Sequence, residues 1–168
     1  LPDGFAPQRN LVTVTADNDI VATAHFINDY TPDAVKPALA VTGTKTLTGR
    51  DWKSGDEFEF KLEILDGTEW RAVGQNRKVS YDTVKEYSFD FENDTDLQSF
   101  EFTSVGTYWF RVREIIPQNK LGGVTYDELY RYFNVVVSDA TIDGMLELAA
   151  VNANTPATVS KANNKFNV

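Results

Sequence analysis

The sequence predicts an all-β sandwich, and three observations carry that prediction. Short runs alternate apolar with polar residues, most clearly EFEFKLEIL at 57–65, GTYWFRVREI at 106–115 and LYRYFNVVV at 129–137. Turn formers such as DGT, GQN and NDTD separate the runs, and helical periodicity is scarce. The 168 residues are 42% hydrophobic and 12% aromatic, enough for one well-buried domain with a tail or two small ones, and too apolar for a disordered chain.

Residues 1–18 are rich in turn formers (Pro2, Gly4, Pro7, Asn10, Asp17, Asn18) around one alternating piece, LVTVT at 11–15. The run 20–30, IVATAHFINDY, reads as a strand with Ala22, Ala24, Phe26, Asn28 and Tyr30 on one face and Thr23, His25, Ile27 and Asp29 on the other. Two prolines make 31–40, TPDAVKPALA, an extended linker, because proline stiffens the chain and lacks an amide hydrogen. The expected organisation is therefore a final-strand segment of a preceding or permuted repeat at 1–30, a linker at 31–40 and a sandwich domain at 41–168.

The domain opens on VTGTKTL at 41–47, where Val41, Gly43, Lys45 and Leu47 share a face, so a lysine enters the core. GRDWKSGDE at 49–57 reads as a loop, and EFEFKLEIL then turns Phe58, Phe60, Leu62 and Ile64 inward. EWRAV, EYSFDF and QSFEF follow as strands, with KVSYDTVK ambiguous between them. GTYWFRVREI places Tyr108, Phe110, Val112 and Glu114 on one face and Trp109, Arg111 and Arg113 on the other. LYRYFNVVV and MLELAAV at 145–151 complete the series. A weak internal repeat lays ANNKFNV at 162–168 on ADNDIVA at 16–22 without gaps. The first copy continues into 23–30 whereas the second stops, so the body is expected to lack its own last strand and 1–30 to represent the last strand of such a unit.

A formal charge of −9 and a pI near 4.6 argue against nucleic acid, anionic membranes and acidic substrates as partners. The absence of cysteine removes disulfides, thiolate metal sites and cysteine nucleophiles together. No apolar run approaches the roughly 20 residues that cross a bilayer, and no signal peptide or LPxTG-like sorting signal is visible, so the chain reads as a segment of something longer with no membrane insertion of its own.

Three core-facing polar residues stand out on apolar strands: Lys45, Glu114 and Asn28. Singly, each has an ordinary explanation: a lysine at a strand edge with its head in water, a solvated glutamate at a strand end, an asparagine in a turn. Together they supply the partners that buried polar groups require. They also supply a reaction. An amine held out of water loses its proton more easily and becomes a nucleophile. A protonated glutamate beside it polarises an asparagine carboxamide and passes protons to the departing ammonia. The product is a Lys–Asn isopeptide bond.

The motifs VTGTKTLTGRDWKSGDEFEFKL, GTYWFRVREI, GGVTYDELYRYFNVVVSD and FINDYTP resemble the streptococcal pilin isopeptide linkage repeat of Gram-positive pilins and surface adhesins, over most of 20–150. The resemblance implies an immunoglobulin-like, CnaB-type β-sandwich with a self-formed bond, located outside the cell in a pilus or cell wall. It implies that Lys45 of K-x-L-x-G is the amine, Glu114 of G-T-Y-x-(F/Y)-x-V-x-E the proton shuttle, and Asn28 of F-x-N-x-Y the acceptor. The order departs from the family, whose asparagine strand follows the body. Three arrangements stay open. Asn28 folds back across the ten-residue linker, which spans about 33 Å when extended. Alternatively, a neighbouring repeat or subunit of the fibre donates the strand. Or Asn167 of KFNV is the acceptor, with a register shift.

Other candidates carry less. His25, the single histidine, lies on the face opposite Asn28, which disfavours a histidine triad or multi-histidine metal site. Asp17, Asp19, Asp94 and Asp96 form no D-x-[DN]-x-[DN]-G calcium loop, and Asn93 begins a glycosylation triplet of a kind common by chance. No convincing catalytic carboxylate pair or phosphate-cradling glycine loop is present, so no cofactor and no turnover enzyme is expected. The expected function is a structural module of a Gram-positive pilus or adhesin. The alternative is a host-ligand binding domain that presents Trp52, Trp70 and Trp109 to a protein or glycan.

Overall fold

The structure, a computed structural model, describes residues 5–7, 26–37, 39–81, 87–91, 97, 100–155, 157–162 and 165–168. The LVTVT piece, His25, Asp17, Asp19, Asp94, Asp96 and the Asn93 triplet lie outside the described residues.

Among the described residues, the chain forms thirteen strands. They are β1 (Phe5–Pro7), β2 (Asn28–Tyr30), β3 (Leu39–Ala40), β4 (Thr42–Thr44), β5 (Glu57–Asp66), β6 (Glu69–Ala72) and β7 (Arg77–Ser80), then β8 (Ser88–Asp90), β9 (Gly106–Ile115), β10 (Arg131–Ser138), β11 (Glu147–Ala153), β12 (Ser160–Ala162) and β13 (Lys165–Asn167). The main sheet runs β11-β10-β9-β5-β6, with β7 also on β5. β5 and β9, the two ten-residue strands, pair antiparallel at its centre, with Phe60 opposite Glu114 and Ile64 opposite Phe110. A two-residue loop joins β5 to β6, and Gly67 at its first position takes a φ of 62°, open to glycine at little steric cost.

The facing layer is assembled from short pieces. β12, β13 and β3 form one sheet and β4 pairs with β8 in another; Val41 alone separates β3 from β4. Phe166 lies parallel to Leu39, and Asn167 to Ala40. Between the layers, Leu39, Val41, Phe91, Leu97, Phe102 and Phe166 meet Phe58, Leu62, Phe110, Phe133 and Val135 in one core. Alternation has sorted the main strands as their sequence predicts, because successive side chains point to opposite faces. Phe58, Phe60, Leu62 and Ile64 are all buried. This is the all-β sandwich.

Two described stretches precede β3. Residues 31–37 lie along the body, bridged at Asp33 to Met145 and at Val35 to Phe102. In 20–30, strand pairing is confined among the described residues to β2, which meets β1 with Asn28 opposite Pro7. Tyr30 ties this segment down: its hydroxyl donates to Asp139 at 3.1 Å and accepts the Gly144 amide at 3.2 Å.

Candidate functional site

The 39–45 run has two hydrogen-bonding edges, and the alternation between them positions Lys45. Odd residues bond toward β8: the Phe91 amide donates to the Val41 carbonyl, and the Lys45 amide to the Tyr87 carbonyl. Even residues bond toward β13: Val168 donates to Ala40, and Thr42 donates to Val168. Val41, Gly43, Lys45 and Leu47 accordingly turn inward while Thr42, Thr44 and Thr46 are exposed. Gly43 is required by packing. The Phe89 ring lies over its Cα, stacked 4.1 Å from Phe60, and a Cβ at position 43 would run into that ring.

Lys45 therefore enters the sandwich near the end of β9 where Glu114 sits. Its Nζ donates to Glu114 Oε1 at 2.9 Å and Oε2 at 2.8 Å. The lysine side chain is 12% exposed and the glutamate 2%. The Asp127 amide donates to Glu114 Oε2 at 3.0 Å, so the carboxylate is held from two directions. Beneath the ammonium lies the Phe58 ring, 4.5 Å away at its centroid, a cation–π contact. Phe58 is itself fixed by Trp52 edge-on at 5.2 Å and Tyr126 at 5.6 Å, and Trp52 stacks on Tyr87 at 3.9 Å.

Sequence reasoning missed the partners Phe58 and Asp127. Phe58 was legible only as an inward apolar residue of β5. The signal for Asp127 was GGVTYD, where Gly123 at φ 73° and the Val124-to-Leu121 bond form a turn; buried Tyr126 accepts the Leu121 amide at 3.3 Å. The Asp127 side chain then accepts from the Leu129 amide at 2.9 Å and from Arg131 at 2.7 Å, which fixes the backbone amide that Glu114 uses.

Of the other proposed site residues, neither asparagine is drawn to this pair. Asn28 is exposed on β2. Asn167 is half-buried on β13, between Ala40 and Ser160, in opposite phase to the buried Phe166. Next to Lys45 there is instead an open groove of about 680 Å³, bordered by Thr44, Lys45, Glu114, Asp127, Arg131 and Val168.

Two further buried carboxylates have structural partners. Asp56 in the 49–57 loop binds Arg50 through both oxygens, at 2.6 and 2.9 Å, and accepts the Lys53 amide at 2.9 Å. The Arg50 hydrogen bond outweighs the opposing effect of burial and holds the Asp56 carboxyl below the usual carboxylate range. Glu63 points to the outer face of the main sheet, yet is only 3% exposed, because Arg111, Lys61 and Arg113 cover it at 2.7, 3.2 and 3.3 Å. Burial pushes its carboxyl up most strongly, but the three cations together overcome this and leave it lowered. Among the described residues, no cluster of histidine and acidic side chains could hold a metal ion.

The family model for FctA, described as a Spy0128-like isopeptide containing domain, matches residues 41–167. The chain belongs to the FctA family. No curated protein and no solved structure matches it. FctA domains are pilin-type, isopeptide-containing structural modules rather than enzymes, and they work outside the cell in surface pili. The match begins at Val41, the first residue of VTGTKTL, so the FctA region contains both members of the Lys45–Glu114 pair.

Proposed function

We propose that this FctA domain is a structural module of a Gram-positive pilus or cell-wall adhesin, secured by a self-formed isopeptide bond from Lys45 to an asparagine. The observation that carries this reading is the 2.8 Å contact between Lys45 Nζ and Glu114 Oε2 at the wall of a groove wide enough for another chain segment. In the proposed reaction one proton passes along that hydrogen bond, leaving an amine and a carboxylic acid in place of two charges. The amine attacks the carboxamide carbon of the acceptor. Glu114 donates a proton to the oxyanion or to the departing nitrogen and takes one from the attacking nitrogen. One C–N bond forms, one breaks, and ammonia leaves.

Asn28 is the proposed acceptor and Asn167 the alternative; either must reach the groove, so the reaction includes a strand movement. The bond serves the role that disulfides fill elsewhere, in a chain without cysteine. Intact-mass measurement tests the reading. The expected product is lighter than its sequence by one ammonia per bond, and Lys45→Ala or Glu114→Ala restores the full mass. A folded wild-type protein with full mass and no crosslinked species would overturn it.

The second reading, a host-ligand adhesin, rests on one observation. Trp109 is 40% exposed, whereas Trp52 and Trp70 are packed against Phe58, Tyr87 and Tyr132. Binding to a glycan or host-protein array that Trp109→Ala abolishes would support it.

A further inference from the structure

We infer that Asp127 is a positioning residue for the bond-forming step at Lys45, acting through its backbone amide on Glu114; this rests on the isopeptide reading above. Asp127 faces two ways. Its side chain is 44% exposed at the surface, while its amide donates at 3.0 Å to Oε2 of a glutamate whose side chain is 2% exposed. Lys45 Nζ approaches the same Oε2 at 2.8 Å, so amide and ammonium converge on one oxygen.

The turn that carries this amide is held on both sides. Residues 116–130 join β9 to β10 without a strand of their own, and a connection of that length is uncommon and usually functional. Within it, the Val124 amide donates to the Leu121 carbonyl and the Leu121 amide to the Tyr126 hydroxyl. Beyond it, the Asp127 carboxylate accepts the Leu129 amide at 2.9 Å and Arg131 at 2.7 Å. Arg131 is the first residue of β10 and pairs with Val112 of β9, two residues before Glu114. The amide and the acid it serves are therefore anchored to one strand ladder.

The preceding residue serves the amine. Tyr126 is buried, and its ring lies 5.6 Å from Phe58, the ring over which the Lys45 ammonium sits at 4.5 Å. Consecutive residues of one turn thus fix both reactants: Asp127 the acid, and Tyr126, through Phe58, the amine.

Proton transfer gives the amide its effect. Glu114 takes a proton from Lys45 Nζ, and Nζ bonds to Cγ of the acceptor asparagine. The Cγ–Nδ2 bond breaks, Glu114 hands its proton to the departing nitrogen, and ammonia leaves; a second proton from Nζ then returns to Glu114. When Glu114 gives its proton up it becomes a carboxylate again, and an N–H aimed at Oε2 favours that charged form. The same N–H keeps the carboxylate turned toward Nζ throughout.

The time course of bond formation tests this. Full-length chain made in a short pulse of cell-free synthesis is followed by intact mass, as the loss of one ammonia, over a series of pH values. Asp127→Pro deletes the amide hydrogen and should slow that loss about tenfold, as expected for one hydrogen bond to a charged group. The acidic limb of its pH–rate profile should also move to higher pH. Below that limb the pair carries one proton too many, and a carboxylate with one donor fewer takes up that proton more readily. Asp127→Ala keeps the amide but frees the turn; because an exposed ion pair adds little to stability, it should fold and show a smaller shift in the same direction. Asp127→Asn keeps an oxygen for the Leu129 amide and should restore most of the rate and the profile. If circular dichroism shows Asp127→Pro to be unfolded, the alanine and asparagine variants decide. A slower rate with the wild-type pH profile would leave Asp127 only a packing role, and a wild-type rate and profile in the folded variants would leave it none. Either result overturns the positioning inference and leaves the isopeptide reading standing. A folded wild type that keeps its full mass overturns both.

Discussion

Lys45, Glu114 and Asp56 are charged residues that the core accepts because each is matched, and single substitutions expose how. Asp56→Ala removes the Arg50 and Lys53 contacts of a 1% exposed carboxylate. Since Arg50 keeps partial access to water, the expected loss is about 2–3 kcal/mol, read as a lower denaturant midpoint. The same group gives a pH dependence. Its folded pKa is depressed, so its contribution is present above the ordinary aspartate value of about 3.9 and is lost as pH falls through the lower folded value. Acid unfolding of Asp56→Asn should therefore be shallower than that of wild type across that range. Gly43→Ala should cost about 1–3 kcal/mol by displacing the Phe89 ring from its stack on Phe60, measured by thermal unfolding. Lys45 and Glu114 were legible in the sequence because each sits in phase with apolar neighbours on a short strand. Asp127 was legible only as the end of the GGVTYD turn, because it acts through its backbone amide rather than its side chain.

Strands were legible where one face is buried and the other wet, as in β5, β9 and β10, since alternation then fixes both the element and its orientation. β8 was read within EYSFDF, but β12 and β13 were obscure because each is only three residues long and β13 takes its register from the distant β3. β7 shows the same effect: KVS remained ambiguous until β5 was beside it, with Val79 opposite Phe58. The outer face of the main sheet holds a buried carboxylate as well. Glu63 is outward by alternation, but Arg111 and Arg113 fold over it, and Arg111 lies 4.3 Å from Trp70 and 4.4 Å from Tyr130. Arg111→Ala removes a charge-assisted hydrogen bond to a buried carboxylate together with both ring contacts. The expected cost is about 2–3 kcal/mol, with Arg111→Lys recovering only part, because an ammonium does not stack on both rings.

Across the whole molecule the charge is −9, and copies that approach one another repel. Lys45 and Glu114 stand 69 residues apart in the sequence, and the Asp127 amide a further 13 beyond Glu114. No local encounter in an unfolded chain assembles all three; the layers must first have closed, with β9 seated on β5 and the 121–127 turn in place. The proposed chemistry is therefore conditional on folding. A misfolded copy remains unlinked and open to proteolysis, a native copy is locked, and each released ammonia becomes a record that one sandwich was correctly built.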